Sequence, residues 1–203
     1  MSTRTNHNES AGSKSIAHQM VLDDPDALRF MANPIRWEII DALTSLGECS
    51  AADIADFTAR ARTSLYPHLQ GLLEHGLIHE SGTRLMGKRY EQLYVPAAHS
   101  IDTRFIKDDP DNIEFHVTLA KAAARLCSRR MERAMRHEDA NPRTKKRNLH
   151  LNLMNLWVSP SELAELNEMI DRISKMGRES RPGDGKSLIH LTLFQTPHLN
   201  RDD

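Results

Sequence analysis

Residues 61–76 read ARTSLYPHLQGLLEHG. Leu65, Leu69, Leu72 and Leu73 fall at i, i+4, i+7 and i+8, which is one apolar stripe along a helix. The opposite face carries Tyr66 and Gln70, with Arg62, Thr63 and Ser64 near its start. These side chains match the hydrogen-bonding patterns of base edges: arginine to guanine, amides to adenine, hydroxyls to either. Proline is tolerated in a first helical turn, where no N–H is needed, so Pro67 predicts an N-cap at Ser64 or, less comfortably, Thr63. Gly76 supplies a left-handed stop. A short helix with one docked face and a free N-terminal end suits insertion into a major groove. Taken alone, the stretch equally describes an amphipathic helix with a solvated outer face, so its neighbours must decide.

Upstream, Asp24-Pro25 and Asn33-Pro34 are two successive helix starts. Ile35, Ile39, Ile40, Leu43 and Leu46 mark an amphipathic helix closed by Gly47. Ser50 caps a third, short helix with Asp53 at N3, where a carboxylate favours the dipole. Residues 58–62 are then a turn between two short helices, the pattern of a helix-turn-helix. After Gly76 the period becomes two. Residues 77–81 and 88–95 read as strands, and residues 82–87 as the loop between them. Arg60, Arg62, Arg84, Lys88 and Arg89 face only Glu74 and Glu80 over residues 59–90, whereas residues 23–56 are acidic. Positive charge gathered on one helix and one hairpin tip is the footprint of phosphate binding.

The stretches NPIRWEIIDAL, CSAADIADF, ARTSLYPHLQGLLEHGLI and GTRLMGKRYEQLYV, taken together over residues 22–96, resemble the winged helix-turn-helix domain of ArsR-type transcriptional regulators. SLYPHLQGLLEHGLI is also similar to the equivalent helix of PadR-type regulators. The resemblance implies a homodimer on double-stranded DNA, with the recognition helix in the major groove and the wing on the backbone. Arg62, Thr63, Ser64, Tyr66 and Gln70 would approach bases. Arg60, Arg84, Lys88 and Arg89 would hold phosphates. His68 serves either a phosphate or a buried hydrogen bond. The resemblance names no effector.

The expected fold class is mainly α with small β: a winged helix-turn-helix, a long dimerisation helix and a β-α-β extension. The expected divisions are a disordered arm (1–21), the DNA-binding domain (22–100), the dimerisation helix (101–140) and the C-terminal unit (141–203). In the long helix, Ile113, Val117, Ala120, Ala124, Cys127 and Met131 form a stripe. Its small residues permit close approach of a second helix, and a helix following the wing builds the dimer in ArsR- and PadR-like proteins. Lys121, Arg125, Arg129, Arg133 and Arg136 make its outer face basic, a solvated face or a flanking contact to DNA. In the C-terminal unit, Leu149, Leu151 and Leu153 alternate with polar or flexible neighbours. Ser159-Pro160-Ser161-Glu162 is a capping box with proline at N1. Residues 188–195 form the second predicted strand, bearing Ile189, Leu191 and Leu193. Two strands are too few to stand alone, so they pair with a dimer mate or pack on the long helix. LWVSPSELAEL resembles a short C-terminal domain found on some ArsR-like regulators.

Other functions find less support. With 203 residues, a net charge of −1 and two cysteines, the chain holds neither a disulfide framework nor a globally basic surface. No signal peptide or membrane-length apolar run is evident, so a cytoplasmic location is expected. Metal-sensing relatives resemble one another in a cysteine-bearing start to the third helix. Here Ser50 and Ala52 occupy those positions, and Cys49 is displaced by one. A second family site would fall on Glu114, His116, Cys127 and Arg130, and arginine is not a ligand. No metal and no cofactor are therefore expected. GxSxG, GxxxxGK[ST] and HExxH are absent, and the eleven histidines are scattered, including His150 and His190 on the two C-terminal predicted strands. The alternatives are a winged-helix module that binds protein, and a sensor holding a small-molecule effector in an apolar pocket between the long helix and the C-terminal unit.

Overall fold

The computed structural model describes residues 16–143, 145–180, 183 and 185–197. The chain divides into two compact units, Met1–Arg104 and Phe105–Asp203.

In the first unit, β1 (Met20–Val21) leads into α1 (Pro25–Met31), α2 (Pro34–Leu46), β2 (Cys49–Ser50), α3 (Ala51–Thr58) and α4 (Arg62–Glu74). The hairpin β3 (Ile78–Met86) and β4 (Arg89–Pro96) follows, then β5 (Ile101–Asp102). The helix starts are local chemistry. Asp24 and Asn33 accept hydrogen bonds from the first-turn amides of Ala27 and Ile35, each with proline just inside the helix. Ser50 and Asp53 close a reciprocal capping box on α3. Met31, Ile39, Leu43, Ile54, Leu65, Leu69, Leu72 and Ile78 make the fully buried core where α1–α4 meet the hairpin. A three-stranded antiparallel sheet has the order β2-β4-β3, because Cys49 and Ser50 pair with Tyr94 and Leu93.

Three local expectations are corrected here. First, α4 begins at Arg62 with Ala61 as its N-cap, without a side-chain cap, so Pro67 lies inside the helix. Proline there denies the Thr63 carbonyl its helical donor and costs up to about 3 kcal/mol. Fully burying Leu65, Leu69 and Leu72 contributes on the order of 2 kcal/mol each, which outweighs that cost. Second, the hairpin is longer than its sequence suggests. Residues 82–86 belong to β3, a bulge falls between Glu80 and Gly82, and the turn is only Gly87-Lys88. Gly87 has φ 63 and Lys88 does not share a positive φ, as a type II′ turn requires. Third, residues 16–21 of the arm expected over 1–21 are held by main-chain hydrogen bonds. Ala17 N–H donates to the Ala97 carbonyl and His99 N–H to the Ala17 carbonyl, each at 2.9 Å. β1 then pairs in parallel with β5. Main-chain groups carry this pairing, so polar side chains conceal it. Residues 1–15 lie outside the described residues.

The second unit holds two helices, α5 (Pro110–Met135) and α6 (Pro160–Glu179). Asp109 caps α5 through the Asp111 and Asn112 amides, and Ser159 and Glu162 form the expected capping box on α6. The β-α-β expectation is corrected: residues 149–158 and 188–197 form no strand with any described residue. A strand needs a neighbour that shares its main-chain ladder; the second segment instead meets α6 through a side chain, Gln195 Nε2 donating to Asn167 Oδ1 at 3.2 Å.

Candidate nucleic-acid interface

α3 and α4 are joined by a turn of Ala59, Arg60 and Ala61. Ala59 adopts the left-handed conformation (φ 55, ψ 41) that ends α3. The turn aims the N-terminal end of α4 outward. Leu65 and Leu69 are buried beneath it, while Arg62, Thr63, Ser64, Tyr66 and Gln70 are exposed, Tyr66 by 48%. Ser64 Oγ donates to the Ala61 carbonyl at 2.7 Å, and Gln70 donates to Glu74 at 2.9 Å. The helix therefore presents a polar, mixed donor–acceptor surface on a rigid apolar seat.

Gly71 shapes that seat. A Cβ there would lie 3.0 Å from the Phe30 ring of α1. Phe30 stacks on His75 with centroids 3.7 Å apart, and the Arg36 guanidinium covers the ring at 3.6 Å. Arg36 also donates to the Phe30 carbonyl.

The basic residues divide into two groups. Arg60 makes a two-point pair with Glu38, Nε to Oε2 at 2.7 Å and Nη2 to Oε1 at 3.0 Å, and Glu38 is buried. Arg84 Nη2 reaches Asp53 at 2.9 Å and Glu91 at 3.3 Å. Glu91 also lies 3.7 Å from Arg62. One carboxylate thus connects the hairpin to the start of α4, and Arg84 connects the hairpin to the cap of α3. Burial works to raise the Asp53 carboxyl, but the Ser50 hydrogen bonds and the Arg84 guanidinium outweigh it and hold the carboxyl below its usual value. Lys88 and Arg89, at the hairpin tip, are exposed and take part in no ion pair among the described residues. Leu85, Met86 and Tyr90 are exposed beside them.

His68 is half-buried on α4. Burial, then the nearby Arg36 and Arg60 charges, push its pKa below the ordinary histidine value, so it is neutral at pH 7. Cys49 is buried in β2 and its thiol is pushed up to about 12, first by burial and then by Asp53. It stays a thiol at neutral pH.

Sequence reasoning brings Arg62, Thr63, Ser64, Tyr66 and Gln70 together on one surface, and the structure has them there. It misses Glu38, Asp53 and Glu91 as partners of the arginines. Glu91 has a usable signal: a two-residue turn at Gly87-Lys88 places it opposite Arg84 by counting. Glu38 has none, because it meets Arg60 only through the packing of α2.

In the second unit, a cavity of about 540 Å³ is lined by Cys127, Met131, Met135, Leu151 and Phe194 among others, with Glu132 and Arg136 at its edge.

Residues 31–81 match a family model described as a helix-turn-helix domain. The match runs from the end of α1 into β3 and contains the turn and all of α4. No curated protein matches the chain. Among the described residues, no helix is long and apolar enough to cross a membrane.

Proposed function

We propose that the chain is a sequence-specific, homodimeric DNA-binding regulator of transcription, of the winged ArsR-like kind, with α4 as the recognition helix and the β3–β4 hairpin as the wing. One observation carries the reading: α4 exposes Arg62, Thr63, Ser64, Tyr66 and Gln70 together while the leucines beneath them are buried. A rigid helix end with that mixture is equipped to read base edges. Lys88 and Arg89 hold phosphates from the hairpin tip. Arg60 and Arg84, engaged with acidic partners, position the turn and the hairpin. His68, neutral, adds no positive charge to the phosphate footprint. α5 and the C-terminal segments build the dimer.

A gel shift across a salt series, on sites selected from a random DNA pool, tests this. Selected duplex should bind far more tightly than random duplex, and affinity should fall steeply with salt. Absence of DNA affinity at low salt would favour a protein-binding module instead.

A second reading, compatible with the first, makes the regulator responsive to an apolar effector. The 540 Å³ cavity supports it, being within the size range of small-molecule sites. Replacing Met131 with Trp should then abolish effector release of DNA and leave DNA binding itself intact.

A further inference from the structure

Residues 149–158 (LHLNLMNLWV) and 187–197 (SLIHLTLFQTP) flank α6. Each alternates over a core of Leu, Ile or Thr, contains no glycine, and keeps proline out of its interior, which is strand composition. Neither contains Lys, Arg, Asp or Glu. Natural sheets guard open edges with charge, proline or bulges, and these segments have no such protection. α6 is also largely uncovered: in the stripe Leu163, Leu166, Ile170, Ile173 and Met176, Leu166 and Ile170 are half-buried and the other three exposed, and none of its residues is buried.

The uncovered area is large. Fifteen large apolar side chains from Leu151 to Phe194 are each more than a third exposed. Together they leave on the order of 1,000 Å² or more of apolar surface open, at least one partner's share of a standard interface.

We infer that the cover is a second copy of this chain: in the dimer, residues 149–156 and 188–195 of each copy pair across a two-fold axis into one sheet, and both α6 helices pack on it. The inference rests on the homodimer reading and says where the dimer is built. Two kinds of surface need covering, strand edges and a helix stripe, and the same unit offers both, so it complements itself. The segments hold no Lys, Arg, Asp or Glu with which to select an oppositely charged partner. Two-fold pairing also closes at two copies, whereas head-to-tail addition would propagate into an open filament.

The test is amide hydrogen exchange on the full-length chain, alongside sedimentation. Above the dimer dissociation constant, amides in 150–156 and 189–195 should exchange slowly, and dilution into monomer should abolish that protection. Leu191→Pro, which removes a ladder donor, should raise the dimer dissociation constant about tenfold or more while α1–α4 stay folded by exchange. A dimer whose amides in these segments exchange freely overturns the inference and leaves the homodimer reading standing. Protection that persists in monomer also overturns it, because the cover would then lie within one chain. A chain that sediments as a monomer at all working concentrations removes both.

Discussion

The guanidinium of Arg60 grips the carboxylate of Glu38 at two points, 2.7 and 3.0 Å, with the glutamate side chain only 6% exposed. Arg60 belongs to the turn before α4 and Glu38 to α2, so the pair fixes the turn against the core. Removing one partner of such a pair strips two hydrogen bonds from a buried charge, at a cost of roughly 3–5 kcal/mol. Arg60 retains some solvent contact, so Arg60→Ala should cost about 3 kcal/mol in urea unfolding, the low end of that range. The double variant Glu38→Leu/Arg60→Met should recover most of it. Arg60→Ala should not change the salt slope of DNA binding. A stable Arg60→Ala protein with a shallower slope would return this arginine to the phosphates.

The left-handed Ala59 predicts a stabilising substitution. At φ 55 a Cβ is strained, and glycine relieves it at some cost in unfolded-chain entropy. Ala59→Gly should therefore stabilise the domain by up to about 1 kcal/mol. A lower melting temperature would mean that the methyl group packs usefully in the turn.

Reading and holding should separate on mutation. Arg62→Ala should weaken the selected site by ~1–3 kcal/mol and relax preference at one position. Lys88→Ala should weaken selected and random DNA alike and reduce the log–log salt slope by about one unit per lost phosphate contact. Arg84→Met differs from both. It frees Glu91 and Asp53 and loosens the hairpin, so specific affinity should fall with the slope unchanged. If Lys88→Ala alone loses sequence preference, the hairpin is the reader.

What is legible in this sequence follows the range of the interactions involved. The caps at Asp24, Asn33, Ser50 and Ser159 each satisfy their own helix's first amides, and each is read from adjacent residues. The exposed set on α4 is legible because the leucine spacing fixes which side is down. The start of α4 is misread, since tertiary burial of Leu65 overrides the local rule at Pro67. The roles of Arg60 and Arg84 are hidden because their partners come from α2, α3 and the hairpin register. Gly71 reads as a weak helical residue until the Phe30 ring is placed against it. The C-terminal alternation is visible as a pattern, but pairing is a property of two strands, and among the described residues these segments have no ladder partner.

His68 gives the domain a defined acid sensitivity. Its pKa in the folded chain is held down by burial and by Arg36 and Arg60, while in the unfolded chain it returns to about 6.5. Above that value both states hold a neutral ring and the residue contributes no pH dependence. As pH falls below about 6.5, the unfolded chain takes up a proton that the folded chain refuses, so stability declines until pH reaches the depressed folded value. Urea unfolding at pH 7 and pH 5 should show the parent losing more stability than His68→Asn, with the difference between the two proteins confined to this window. Arg60→Ala, which removes one of the repelling charges, should bring the folded pKa back towards normal and shrink the His68 contribution. If His68→Asn loses as much stability on acidification as the parent, another group carries the sensitivity, and the His68 ring is not held neutral by its neighbours.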